Sequence, residues 1–480
     1  MKQDHIIQKV FVEITVNNKA KALSIKDDIN SFLSIDVFPE IENHIKALEY
    51  KLAGHTLQIP RLELNVEVKS SALNIELKDK IAELFKEELS EITKPIETSS
   101  QETKNDTKAY LVDDQEKGIK AFLYFLEKGT MPWWNSQSNS MAILESTVFD
   151  SIISSGSFQK SIVPALSKEN VRNRIINQLS DEQIAQLCLA ILKNKELKIN
   201  LETDTIRHLS KLDHTDRIAI WRLIFKVISE YLNTSGNHFR EYLLQEISIK
   251  KQIDLSITKS NHQNRKTIVK IFPFITENEI SESLKTDAAD QPENVETSIE
   301  TLHEKNEIIQ ESIIQDEGQY IQNAGLILIH PFIRTLFEHC ELIDPKTQQL
   351  TDPELCAHLL HYIATGKTNA PEYDMIFEKF LCNIPMHQPI NRHIKLSRKH
   401  KTQAKNVIES VQHNWAPMRK SSVALLQNEF FQRPGKLIIN DADYTLTVER
   451  KTQDILLEKL SWGIGLVKLP WQKKFIFVNW

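Results

Sequence analysis

Hydrophobic and polar positions near the N-terminus follow two different periods. Residues 9–16 (KVFVEITV) and 57–68 (LQIPRLELNVEV) alternate apolar with polar side chains, which predicts two half-buried strands. Between them, Phe38, Ile41 and Ile45 recur at helical spacing. Together with a helix predicted over DKIAELFKEELSEI, this pattern indicates a small strand–helix–strand unit in residues 1–92.

From residue 115 to residue 276 the apolar positions recur at helical spacing. The run DRIAIWRLIFKVISEYL is apolar on both faces, which is typical of a helix buried on most sides. Two other runs carry a single apolar stripe; the residues of these stripes are Ile119, Phe122, Leu123, Leu126, Ile184, Leu187, Cys188 and Ile191. The sequence therefore predicts a helical middle domain.

Two polar segments separate these regions from each other and from the rest of the chain. Residues 93–114 contain little that a core could bury, which predicts a linker. Residues 277–319 form a second, acidic linker, because residues 277–317 hold 13 Asp and Glu against two Lys, a net charge of -11. Since the net charge of the whole chain is -6, the residues outside 277–317 have a net charge of +5.

After residue 320 the pattern predicts helices that end at clear stop signals. The runs end at Gly366, Pro385 and Pro417, and a further run over 420–431 ends at RPGK. Beyond it, residues 444–448 (YTLTV) alternate, and IGLVKLPW and KFIFVNW read as further strands. The predicted class is α+β, mainly α, with C-terminal helices in residues 320–480 closing on a small β-sheet.

Composition narrows the class of protein. The chain of 480 residues is 26% charged and 41% hydrophobic, which is typical of a soluble protein of several domains. No apolar run reaches the roughly 20 residues that a membrane span needs, and the N-terminus lacks the continuous apolar stretch of a secretory signal. The four cysteines are widely spaced without a CxxC motif, which favours free thiols and synthesis in the cytoplasm.

Candidate chemistry is sparse. Cys356, His358 and His361 lie within six residues, and the two histidines share a helix face, but no fourth metal ligand has a suitable spacing. No GxSxG motif is present, and WGIG lacks the third glycine of a dinucleotide fingerprint. We therefore expect no catalytic residue, no metal, no cofactor and no enzymatic activity.

A basic run and the tryptophans are the remaining candidates for binding. The run contains Arg392, Lys395, Arg398, Lys399, Lys401 and Lys405 without an acid. A phosphate backbone or an acidic protein surface could bind it, but it lacks stacking aromatics, which favours a solvated loop. Two short runs of residues are candidates for junction packing or for contact with a partner protein. One is Pro132, Trp133 and Trp134, and the other is Pro470 and Trp471.

Several motifs follow one another in an order that resembles a bacterial family. They are HIIQKVFVEITV, IPRLELNV, FLYFLEKGTMPWW, NAGLILIHPFIRTLFEHCEL, HLLHYIATG, EKFLCNIP, HNWAPMRKSS, FFQRPGKL and DILLEKLSWGIGLVKLPW. The chain resembles the contractile injection system tape measure protein family, which is found with phage-tail-like injection particles. Each motif alone is a weak signal, whereas their common order is specific.

The resemblance implies a structural role in assembly. Such proteins are thought to set the length of the inner tube and sheath, so the expected partners are the inner tube, the baseplate and, as a further candidate, cargo. The chain would be cytoplasmic and could be incorporated into the assembled particle. The alternatives are an adaptor that joins tube, baseplate or cargo, and a module that binds nucleic acid or glycan; nucleic acid is not expected as a partner.

Overall fold

The computed structural model describes most of the chain outside its polar segments. The described residues are 7, 10–16, 18–52, 55–59, 61–68, 73, 75–98, 110–135, 142–193, 197–233, 239–249, 259–286 and 318–480. They belong to two units, Met1–Lys120 and Ala121–Trp480. The predicted domain boundaries stay a prediction, since the middle of the acidic segment, residues 287–317, lies outside the described residues.

The described residues of unit 1 form helices and a short two-stranded sheet. Its elements are α1 (Lys19–Phe32), a π-helical turn (Leu33–Val37), α2 (Phe38–Leu52), β1 (His55–Gln58), α3 (Ile75–Thr98) and β2 (Tyr110–Asp113). Strands β1 and β2 pair antiparallel, with His55 opposite Asp113. The buried core is helical; its members are Phe32, Val37, Ile41, Phe85 and Leu89.

The strands predicted from alternation in unit 1 are mostly wrong. Residues 10–16 belong to no strand, and of the described residues in 57–68 only Leu57 and Gln58 lie in β1. Lys9 and Pro60 lie outside the described residues. The alternation still places Leu62 and Leu64 against the helical core. A strand also needs a partner for its backbone hydrogen bonds, and the partner of β1 comes from residues 110–113, within the range predicted as linker.

Helices fill the first half of unit 2, as predicted. Helix α4 (Asp114–Lys128) leads into a 3-10 helix at Trp133–Asn135. The following helices are α5 (Ser146–Ser154), α6 (Phe158–Ala165), α7 (Glu169–Gln178), α8 (Asp181–Ile191), α9 (Thr203–Leu209), α10 (His214–Asn233), α11 (Phe239–Ile249), α12 (Lys259–Ile271) and α13 (Glu277–Thr286). The stripe of α8 is fully buried. Helix α10 buries both faces, since Trp221 and Phe225 on one side and Leu223 and Val227 on the other are all buried.

In the second half of unit 2, a buried 3-10 helix, Ala324–Ile329, precedes the helices. Helices α14 (His330–His339), α15 (Pro353–Thr365), α16 (Ile376–Leu381), α17 (Arg398–Asn414) and α18 (Val423–Leu426) follow. Helix α15 begins at Asp352, whose carboxylate accepts from the amide of Leu355 at 3.0 Å. It ends at Gly366, which has a φ of 71°, so the predicted stop signal is confirmed.

Five strands close unit 2 in the order β3-β4-β5-β7-β6. They are β3 (Gln319–Ile321), β4 (Gly435–Ile439), β5 (Tyr444–Val448), β6 (Leu466–Val467) and β7 (Ile476–Asn479). All neighbours are antiparallel except β5 and β7. Leu437, Leu446 and Ile476 on the inner face are buried in the core that they share with α14–α18. The predicted class, α+β and mainly α, is confirmed.

Candidate functional site

The turn after α4 is shaped by a glycine. Gly129 has a φ of +79°, and its amide donates to the carbonyl of Phe125 at 2.7 Å. A Cβ atom at this position would lie 2.6 Å from Oε1 of Glu372 and 2.9 Å from Nη2 of Arg174. Glycine is therefore required at position 129 for two reasons: the backbone is left-handed, and two charged side chains occupy the space that a Cβ atom would need.

These side chains belong to an ion cluster of Arg174, Glu372 and Lys379, each with a side-chain exposure of 0%. Nε of Arg174 lies 3.0 Å from Oε2 of Glu372, and Nζ of Lys379 lies 2.6 Å from Oε1 of the same carboxylate. Arg174 comes from α7, whereas Glu372 and Lys379 come from the second half of the unit. One buried anion thus bridges two buried cations across the halves of unit 2.

Backbone carbonyls supply the remaining acceptors of the ion cluster. Arg174 donates to the carbonyls of Leu126 and His387, each at 2.6 Å. Lys379 donates to the carbonyls of Met386 and Gln388 at 2.8 and 2.7 Å. Burial lowers the pKa of Lys379, and the adjacent carboxylate opposes that shift. The cluster consequently joins the end of α4, helix α7 and the segment 386–388.

Gln178 and Arg392 add further hydrogen bonds between the two halves of unit 2, next to the ion cluster. The side-chain amide of Gln178 donates to the carbonyl of Ile390 at 2.8 Å, and its oxygen accepts from the amide of Glu372 at 2.9 Å. The amide of Arg392 donates to the carbonyl of Asn177 at 2.9 Å. Because Gln178 and Ile390 lie 212 positions apart in sequence, these contacts hold the two halves of unit 2 together.

A second buried polar group contains one of the predicted histidines. Oε1 of Glu378 accepts from Nδ2 of Asn323 at 2.7 Å and lies 2.8 Å from Nδ1 of His361. His358 points elsewhere, with Nε2 2.8 Å from the carbonyl oxygen of Asn391, and burial lowers its pKa. Among the described residues, no three His, Cys, Asp or Glu side chains are placed to hold a metal ion.

All four cysteines are free and buried. Burial raises the pKa of Cys340 to about 11 and also raises the pKa of Cys188. Since the thiolate is the reactive form of cysteine, these two side chains are poor nucleophiles at neutral pH. Cys382 is buried, and burial raises its pKa well above the ordinary value.

Most tryptophans are built into the core of unit 2. Trp471 is 3% exposed, donates to the carbonyl of Leu381 at 2.7 Å and packs against Phe337 at 5.4 Å between ring centroids. The indole N–H groups of three further tryptophans, Trp415, Trp462 and Trp480, donate to acceptors at 2.9 to 3.0 Å. Each of these four indoles thus has an acceptor, as the burial of so large a side chain with an N–H group requires.

Trp133 and Trp134 are placed differently from Trp471. Both are half-buried in the 3-10 helix after Pro132, which is itself buried. The amide of Asn135 donates to the carbonyl of Pro132 at 2.8 Å and closes the turn. Pro470, by contrast, is exposed. The choice between junction packing and partner contact stays a prediction for Trp133 and Trp134.

The basic run does not form one uniform cationic surface. Nε of Arg392 donates to the carbonyl of Asn369 at 2.8 Å. Lys399 pairs with Glu341 at 2.6 Å, and Lys405 pairs with Glu409 at 3.4 Å. The run therefore divides between fold contacts and solvated surface pairs. The predicted solvated loop is only partly right, because Arg398, Lys399, Lys401 and Lys405 lie in helix α17 and only Arg392 and Lys395 precede it.

Sequence analysis missed the ion cluster. A usable signal exists at Lys379, because the charged pair Glu378–Lys379 interrupts the apolar run IFEKFL of α16. Lys and Glu are almost never fully buried unless they are paired. Arg174 carries no comparable local signal, since its partner lies 198 positions away.

Comparison with known proteins decides the family. A family model described as contractile injection system tape measure protein matches residues 4–480. The chain belongs to this family. Searches of the curated proteins and of the solved structures give no match.

Membership identifies the chain as a structural component of a contractile injection particle, and as a tape measure protein it interacts with other proteins of that particle. In the part of the chain that the structure describes, no helix has both the length and the apolar composition required to span a membrane.

Proposed function

We propose that this chain acts without catalysis in assembly, where it sets the length of the tube and sheath of a contractile injection particle. The observation that carries the proposal is the family match over residues 4–480. We propose the inner tube and the baseplate as its direct partners, with cargo as a third candidate.

The polar groups of unit 2 support a role without catalysis. The charged groups of the ion cluster pair with one another and donate hydrogen bonds to backbone carbonyls. Cys340 is a free thiol whose pKa is raised by burial. Free cysteines also support synthesis in the cytoplasm, followed by incorporation into the particle there.

We further propose that the chain acts in its folded form. A fully helical chain of this length would span ~720 Å at 1.5 Å per residue, whereas residues 121–480 form one unit. Since the ion cluster ties α7 to residues 372–388, the distance between Thr286 and Gly318 is set by the folded unit. Segment 287–317 then adds nothing to the length that the chain measures.

The role is tested by deleting the gene and restoring the full chain from a second copy. Without the chain we expect no particles or tubes of irregular length, and the restored chain should return a single length. The measurement is the tube-length distribution in electron micrographs. Normal particles of normal length in the deletion strain would contradict the proposal.

A further inference from the structure

The outward side of the five-stranded sheet carries large apolar side chains where a solvated sheet face ordinarily carries polar ones. Leu466 on β6 lies directly opposite Phe477 on β7, and the two are 53% and 43% exposed. Phe475 continues the row at 45%, and Tyr320 on β3 is 47% exposed. We call these four residues, with Lys436 and Lys468, the outer face.

The charges of the outer face have one sign. Lys468 lies over the ring of Phe475 at 5.0 Å, and Lys436 lies over the ring of Tyr320 at 5.7 Å. The outward positions between them on β5 are Thr445 and Thr447. Acids lie beyond the ends of the strands: Asp441 and Asp443 in the turn between β4 and β5, and the exposed Glu449 directly after β5. The outer face therefore combines exposed apolar area with positive charge.

The lysines decide between classes of ligand. Nucleic-acid bases stack on open aromatic faces, but here an ammonium group covers one face of each of the two rings. The outer face is thus an apolar surface with lysine ammonium groups among its apolar side chains. Such a surface fits a protein segment whose apolar side chains are flanked by carboxylates.

We propose that the outer face docks another protein of the particle through a segment that is apolar and carries Asp or Glu. The proposal rests on the proposed assembly function and adds the surface and the chemistry of the partner. Phe477 and Leu466 would form the centre of the contact, and Lys468 and Lys436 would select the charge of the partner.

The test measures binding of the purified full-length chain to the purified inner tube, sheath and baseplate proteins of the same particle, one at a time. One of these should bind the wild type, more weakly as salt rises. Phe477→Ser and Lys468→Glu should each weaken that binding by about tenfold or more. The matched control is Ile455→Ser, which changes an equally apolar residue, 68% exposed, on the 3-10 helix Thr452–Lys459; its binding should equal that of the wild type.

Circular dichroism and thermal unfolding should show the same fold for all variants, and Lys468→Glu keeps the test valid if Phe477→Ser alters the sheet. The proposal is overturned if none of the three components binds, or if binding ignores both changes. It is also overturned if Phe477→Ser dissociates a dimer of the chain in light scattering, or if Lys468→Glu abolishes retention on DNA. These failures leave the tube-length result of the deletion strain untouched, so they are distinguishable from failure of the proposed function.

Discussion

Replacing Glu372 with glutamine tests whether the ion cluster holds unit 2 together. The change keeps the size of the side chain and removes the one negative charge between Arg174 and Lys379, which are both 0% exposed. Two buried cations then lose their carboxylate. Breaking a buried ion pair in this way typically costs about 3–5 kcal/mol.

The expected change in melting temperature follows from the size of the unit. Unfolding entropy is about 2.1 cal/mol/K per residue, and residues 121–480 form one unit. Taken as one cooperative transition, a loss of about 3–5 kcal/mol lowers Tm by about 4–7 °C. Calorimetry of the full-length chain would measure the change in Tm, and urea unfolding would measure the change in the free energy of unfolding.

Glu341 supplies the matched control. Its pair with Lys399 has the same 2.6 Å distance between charged atoms as the pair of Glu372 with Lys379, but the two side chains are 84% and 49% exposed. Glu341→Gln should therefore leave Tm unchanged, since solvent screens surface pairs. Equal Tm values for Glu372→Gln and Glu341→Gln would refute the reasoning.

Three further predictions concern the turn, one histidine and the adjacent tryptophans. Gly129→Ala should destabilise unit 2 by about 1–3 kcal/mol, because the position has a positive φ and the added Cβ would clash with the ion cluster. The control Gly156→Ala should not change stability, since no atom lies within 4 Å of its added Cβ. Equal urea midpoints for the two variants would contradict this prediction. Burial lowers the pKa of His358 below its ordinary 6.5, so the unfolded state binds more protons and the folded state loses stability as pH falls below about 6.5. Between pH 7.5 and pH 5.5, the Tm of the wild type should therefore fall further than the Tm of His358→Gln. Equal falls in Tm would contradict this prediction. Alanine at both Trp133 and Trp134 should lower Tm if they pack the junction, as we expect; an unchanged Tm with failed particle assembly would instead favour contact with a partner.

Local signals made part of the fold predictable. Helix α15 ends at Gly366 because a left-handed residue can terminate a helix whatever surrounds it. Leu446 and Val448 face inward because alternation alone separates the two faces of a strand. Such features depend on a few neighbouring residues, and these are visible in one sequence.

Long-range pairing explains what could not be predicted. Residues 10–16 have the alternation of a strand, yet the partner of β1 is β2, chosen by the three-dimensional fold. His358 and His361 were correctly placed on one helix, but their partners Asn391 and Glu378 come from other segments and draw the two rings to different groups. The same applies to the ion cluster, whose members meet only after the halves of unit 2 pack together.

Duplicating segment 287–317 tests the central claim most directly, which is that the folded unit, and not an extended chain, carries the length-setting role. Adding a second copy of these residues leaves the described contacts on both sides in place, and long insertions in connecting segments are tolerated well. The measurement is the mean tube length in cryo-electron micrographs of particles made with the wild-type or the duplicated chain. The account predicts equal lengths. An extended ruler predicts tubes longer by ~46 Å if the 31 added residues were helical and by ~100 Å if they were fully extended, and either increase would contradict the account.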